Sequence, residues 1–177
     1  LIIEIAAVRV LAPYFGNTIF TVSSVISVIL AALSLGYYFG GIWSDKHPTH
    51  SWFYRIILIS GMSVVAFQIF YEIALPFVSP MSSIITGPLI SSLLFFFFPA
   101  FLLGTLSPYA VRLYSDTLSK QGVGSIAGKV FFWSTMGSIS GSLLAGFVLI
   151  PFIGIRNIFI SVGIVLFLLG LFPLIIM

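Results

Sequence analysis

Four ionisable residues stand within or at the ends of strongly apolar stretches: Glu4, Arg9, Glu72 and Arg112. A charge at the middle of a bilayer costs at least about 2.5 kcal/mol on insertion scales, so each should face the interior of a helical bundle and find a partner or a task. A carboxylate in that setting can hold a cation or carry a proton. Glu4 and Arg9 are five residues apart, roughly 140° around a helix, which makes them poor partners for each other. Each should meet another helix. Glu4, Arg9 and Glu72 are the candidates for ligand binding or proton coupling. Glu72 falls near the outer end of its helix, where an interfacial carboxylate is the plainer reading. Asp45 and Arg112 form the candidate charge pair, because both end helices on one side of the membrane.

Other constellations carry less. Asp45, His47 and His50 have two imidazoles three residues apart beside a carboxylate, but Pro48 breaks the segment, and a solvated loop is expected rather than zinc. No metal and no cofactor are expected. Gly122, Gly124 and Gly128 make a glycine-rich run, yet it precedes an apolar helix and follows no strand, so the context a nucleotide loop needs is missing. No nucleophile, base and orienting group stand together as an active site requires. The net charge of +3 is spread over helix ends rather than gathered in a stripe, which argues against nucleic acid. With no cysteine, thiolate metal sites and disulfides are excluded.

The elements that must position these residues follow from composition. Of 177 residues, 60% are hydrophobic and 6% are charged, and mean hydropathy is +1.24. Soluble domains carry about 25% charged residues, so lipid must be the solvent for most of this surface. The expected fold is a single all-α membrane domain over residues 1–177 with about six transmembrane helices. They run from Leu1 to about Leu11, Thr18 to Trp43, Trp52 to Leu75, Ile84 to Leu113, Ser125 to Ile150 and Arg156 to Leu174. Pro88, Pro99 and Pro108 make the fourth the weakest span. The first is expected to be truncated, since residues 1–12 reach only about 18 Å.

Lys46 and Arg55 flank one loop, and Arg112, Lys120 and Lys129 flank another. Arg9 and Arg156 lie on the opposite side. This imbalance places the first group in the cytoplasm, and with six helices both termini as well. A multi-pass protein of the cell membrane is the expected localisation. Trp43, Trp52 and Tyr54 read as interfacial anchors.

Small residues give the packing signal. Gly36 and Gly40 form GxxxG on the second helix, and Gly137 and Gly141 do so on the fifth, with Ser134 and Ser138 on an adjacent stripe. Such faces let helix backbones approach closely. We expect all four glycines to line close contacts, and one face to meet a second copy in a homodimer.

The stretch Glu4-Ile5-Ala6-Ala7-Val8-Arg9-Val10-Leu11-Ala12-Pro13-Tyr14-Phe15-Gly16 resembles the first-helix signature of membrane domains in spermidine synthase-like proteins. These helical regions, related to half of a major facilitator, are often fused ahead of a soluble aminopropyltransferase. Residues 33–46, from Leu33 to Asp45-Lys46, are similar to the next block. Leu103 to Leu113 resembles the end of the fourth helix, and Gly128, Ser134 to Gly141 and Phe147 to Gly154 resemble the fifth and its exit. The synthase's glycine-rich loop and catalytic Asp have no counterpart here. The resemblance implies a noncatalytic membrane domain that anchors, or exchanges a polyamine-type ligand with, a cytoplasmic aminopropyltransferase chain. A half-size transporter that dimerises and a structural subunit of a larger complex are the alternatives.

Overall fold

The structure, a computed structural model, describes residues 1–117 and 122–176. Among the described residues it is all-helical, with no strand. A helix satisfies its backbone polar groups internally, which lipid demands of any segment it surrounds. Helix α1 spans Ile2–Phe15, α2 spans Ile19–Lys46 and α3 spans His50–Val78. After a 3-10 turn at Ser79–Met81 come α4 (Gly87–Phe95) and α5 (Phe97–Thr117). Helix α6 (Val123–Leu144) passes through a wide turn at Ala145–Leu149 into α7 (Ile150–Ile153), and α8 (Ile155–Ile176) follows.

Among the described residues four helices are long and apolar enough to cross a membrane: α2, α3, the continuous α6–α7 and α8. The pair α4 and α5, bent by 53°, makes a fifth if it is one span. This is the helix inventory of a multi-pass membrane protein. Among the described residues the count is four or five, and the expected number of about six is not shown. Helix α1 has 14 residues. At 1.5 Å per residue it reaches about 21 Å, short of a hydrocarbon core of about 30 Å.

The prolines explain where the boundaries differ from those expected. Pro99 is the third residue of α5, in the first turn, where a missing N–H leaves no helical bond unmade. It marks the start of a helix, and the chain breaks at Phe96 instead of bending smoothly through residues 84–113. Pro151, just past the expected end at Ile150, does not stop the helix, which continues to Ile153. The wide turn makes this feasible: the Ile150 N–H bonds to the Ala145 carbonyl, five residues back. The chain then turns at Gly154, whose φ of 81° suits glycine. Gly16 does the same after α1, and Thr18 caps α2 by accepting a hydrogen bond from the Thr21 N–H at 3.3 Å.

Two helix pairs hold the bundle. Helices α2 and α5 pack side by side and in parallel. A Cβ added at Gly36 would fall 3.0 Å from the Gly104 Cα, and one at Gly40 would fall 2.6 Å from the Thr105 Cα. Helices α3 and α8 pack antiparallel in the same manner, where a Cβ on Gly61 or Gly170 would come within 2.5 Å of the backbone nitrogen of Phe167 or Leu58. Between the pairs lies a core that includes Leu11, Phe15, Val25, Phe95, Phe96 and Phe159. The rings of Phe96 and Phe159 stack at 6.1 Å, joining α8 to the break between α4 and α5.

Helix α6 stands apart. Only 11% of its most apolar stretch is buried, against 39% for α2 and 33% for α3. A Cβ added at Gly137 would meet no described atom within 4 Å, so no helix of this chain packs closely on it among the described residues. Gly141 meets only the flexible side chain of Ile2, at 3.1 Å.

The two stripes should therefore respond differently to an added methyl. Gly36→Ala and Gly40→Ala are expected to lower stability by about 1–3 kcal/mol, because the colliding atoms are backbone. Gly137→Ala should change it by less than about 0.5 kcal/mol. Thermal unfolding in mild detergent measures both, and equal losses at the two stripes would contradict this packing.

Candidate functional site

A cleft of about 530 Å³ separates α6 from α1, α2 and α5. Its walls are mostly aliphatic, including Ile29, Leu33, Leu103 and Leu166. Five polar side chains reach it from four helices: Glu4 of α1, Tyr37 of α2, Ser107 of α5, and Ser134 and Ser138 of α6. A mostly apolar cleft of this volume with a few convergent polar groups is the usual form of a small-molecule site. Gly137 and Gly141 also line it, so the small residues of α6 leave room for the cleft instead of closing it.

Glu4 is half-buried. It forms no ion pair and no side-chain hydrogen bond among the described residues. It stands on α1 in a wall that is otherwise mostly aliphatic. An ionised carboxylate in apolar surroundings is costly unless a cation meets it. The hydroxyls of Tyr37, Ser107, Ser134 and Ser138 likewise make no side-chain hydrogen bond among the described residues. Chemically, the arrangement can hold a cationic group at one end and accept hydrogen bonds from amines farther along.

Arg9 is exposed on the same helix, outside the cleft, and also makes no ion pair among the described residues. Glu4 and Arg9 are thus not brought together.

Glu72 belongs to a different arrangement at the opposite end of the bundle from the α2–α3 loop. Its Oε1 lies 3.4 Å from the Arg156 Nε and accepts a hydrogen bond from the Gln68 Nε2 at 2.9 Å. Gln68 is 2% exposed, and its Nε2 also donates to the Tyr71 hydroxyl at 3.1 Å. The carboxylate accepts only, which fixes the amide with its nitrogen toward Glu72 and leaves the buried Gln68 Oε1 unpaired. Glu72 therefore ties α3 to α8 and holds a buried amide, and it is not near the cleft. Sequence reasoning missed Gln68, whose signal is an amide one helical turn before a carboxylate in an apolar run.

Asp45 and Arg112 meet at the far end of α2 and α5, with Oδ1 3.3 Å from Nε. The angle is not that of a hydrogen bond; the directed bond runs from Arg112 Nη1 to Asp116 Oδ1 at 2.9 Å. All three side chains are well exposed, so these pairs contribute little to stability. The Tyr109 hydroxyl, fully buried, donates to the His47 carbonyl and closes the α2–α3 loop over α5. Among the described residues no three His, Asp or Glu side chains cluster to hold a metal. Lys120 lies outside the described residues.

Comparison with protein-family models, with curated proteins and with solved structures finds no match.

The Glu72 arrangement yields an ordered expectation. Glu72→Leu leaves the Tyr71 hydroxyl as the one remaining acceptor of the buried Gln68 amide among the described residues, removes its charged acceptor, and should cost about 1–3 kcal/mol. Arg156→Leu removes only an exposed partner and should cost less than about 1 kcal/mol. Thermal unfolding of the two variants in detergent checks the order, and the reverse order would contradict this assignment.

Proposed function

We propose that this chain is a noncatalytic membrane domain of the spermidine synthase-like kind, which takes a polyamine-type cation into the α6 cleft and exchanges it with a separate cytoplasmic aminopropyltransferase. One observation carries the reading: a half-buried carboxylate, Glu4, stands without an ion-pair partner among the described residues in a mostly apolar cleft of about 530 Å³. A primary ammonium satisfies that carboxylate, and the four hydroxyls along the cleft accept from the remaining amines. The aliphatic walls fit the methylene spacers between amines. The four sequence blocks, in order along the chain, support the family. The positive charges at the α2–α3 and α5–α6 ends support a cytoplasmic orientation for those ends.

A second reading is favoured by a separate observation. Helix α6 is the least buried span, and Gly137 is open. A half-size transporter would cover that face with a second copy and enclose the cleft between the two.

Titration of labelled spermidine into the purified chain in nanodiscs tests the proposal. Glu4→Gln should weaken binding by a factor of ten or more, on the order of 1.4 kcal/mol. Binding unchanged by Glu4→Gln would refute it. The chain alone, given an S-adenosyl-derived aminopropyl donor and putrescine, should show only background turnover. Turnover that Glu4→Gln abolishes would overturn the noncatalytic reading. A dimer in mild detergent that Gly137→Leu converts to a folded monomer would favour the second reading.

A further inference from the structure

A second groove, of about 330 Å³, lies at the end of the bundle that carries the α2–α3 loop. It is lined by Phe39, Ile42, Trp43, Lys46, His47 and Phe101. The order along α2 matters. Phe39 and Ile42 come first, then Trp43, then Lys46 and His47 where the helix ends, so the groove passes from apolar through amphipathic to charged over roughly 10 Å. Phe101 of α5 forms the opposing wall. That gradient is the gradient of a bilayer leaflet, from acyl chain through glycerol backbone to headgroup.

The charges around the groove are unequal. Lys46 makes no ion pair among the described residues, while Asp45, the acidic residue next to it, is engaged by Arg112 at 3.3 Å. No carboxylate lines the groove. A second cation stands behind the tryptophans: the Arg55 guanidinium lies 5.3 Å over the Trp52 ring, and Trp52 lies 5.9 Å from Trp43 and 6.0 Å from His47. The His47 backbone is held by the buried Tyr109 hydroxyl, so the rim is fixed and the Lys46 ammonium is carried on a rigid frame.

We propose that this groove is a binding site for one anionic phospholipid, with its phosphate at Lys46 and one acyl chain along Phe39, Ile42 and Phe101. The occupant follows from the combination. A free phosphate gains nothing from three apolar walls, and a zwitterionic lipid brings its own quaternary ammonium next to its phosphate, which offsets the attraction to Lys46. An anionic lipid uses both. The site rests on this end of α2 lying at the membrane interface. It shares no residue with the Glu4 cleft, so either assignment can fail without the other.

Native mass spectrometry of the full chain, released from micelles containing equal phosphatidylglycerol and phosphatidylcholine, tests it. The expected result is one retained phosphatidylglycerol per chain in preference to phosphatidylcholine. Lys46→Gln should cut that preference about fivefold, and Lys46→Arg should keep it. Lys129→Gln, which removes a positive charge from α6, should leave it unchanged. Equal retention of the two lipids would overturn the proposal, as would a preference that Lys46→Gln does not alter. Displacement of the retained lipid by glycerol 3-phosphate alone would assign the rim to a free phosphate and also overturn it. The lipid-to-chain ratio in Trp43→Ala supplies an independent check, since loss of the wall should lower retention while the thermal unfolding of the chain stays cooperative; unchanged retention would overturn the proposal.

Discussion

Close backbone approach at glycine is the constraint on which the rest of this structure depends. Lipid tails are as apolar as leucine, so helices in a membrane gain nothing merely by hiding apolar surface from them. Association must come from dense contact and from polar groups that find each other. Gly36 and Gly40 against Gly104 and Thr105, and Gly61, Gly163 and Gly170 against the facing backbone, supply that contact in two pairs. Once α2 is locked to α5 and α3 to α8, the short α1 and the broken α4 have a fixed surface to fill. Gly87 accepts the Phe15 ring there, and Leu11 and Phe95 close the core.

The same constraint explains the cleft. Helix α6 also carries a small-residue stripe, but nothing with a matching ridge faces Gly137 among the described residues. The space that remains is bounded by Glu4 on one side and the α6 serines on the other. A polar site in a membrane bundle is thus produced where packing is incomplete, and the charge that would destabilise a tight interface is tolerated there. Glu72 shows the contrast: in a well-packed region its carboxylate is taken up by Arg156 and Gln68.

Much of the helical framework was legible in the sequence, and the physical reasons for the remainder are specific. The apolar runs of α2, α3 and α8 are long and uninterrupted, so hydropathy places them to within a few residues. The break at Phe96 is not visible in a hydropathy profile, because it falls inside a run of four phenylalanines and Pro99 can start a helix as readily as bend one. The α2 and α6 glycine stripes look alike in sequence, yet only the α2 stripe is filled, since the partner's shape belongs to another part of the chain. Gly163 and Gly170, seven apart and so on one helix face, carry a signal of equal strength that points to the α3–α8 pair. Arg156 and Glu72 are separated by the end of α3 and all of α4 to α7, and no local pattern joins them. Glu4 was identifiable from its type and depth alone, while the hydroxyls that share its cleft needed the fold.

Reactivity at the cleft tests most directly whether Glu4 makes it a site for cations. The chain has no cysteine, so a single Ser138→Cys substitution places one thiol in the cleft without a background. Its rate of modification can be compared for a cationic and an anionic methanethiosulfonate of similar size, each corrected for the reagent's rate with a free thiol. A carboxylate in a low-dielectric cleft concentrates cations, so the cationic reagent should react several-fold faster, and Glu4→Gln should bring the corrected ratio close to one. Equal corrected rates with Glu4 present, or a ratio that Glu4→Gln leaves unchanged, would contradict the assignment of this cleft.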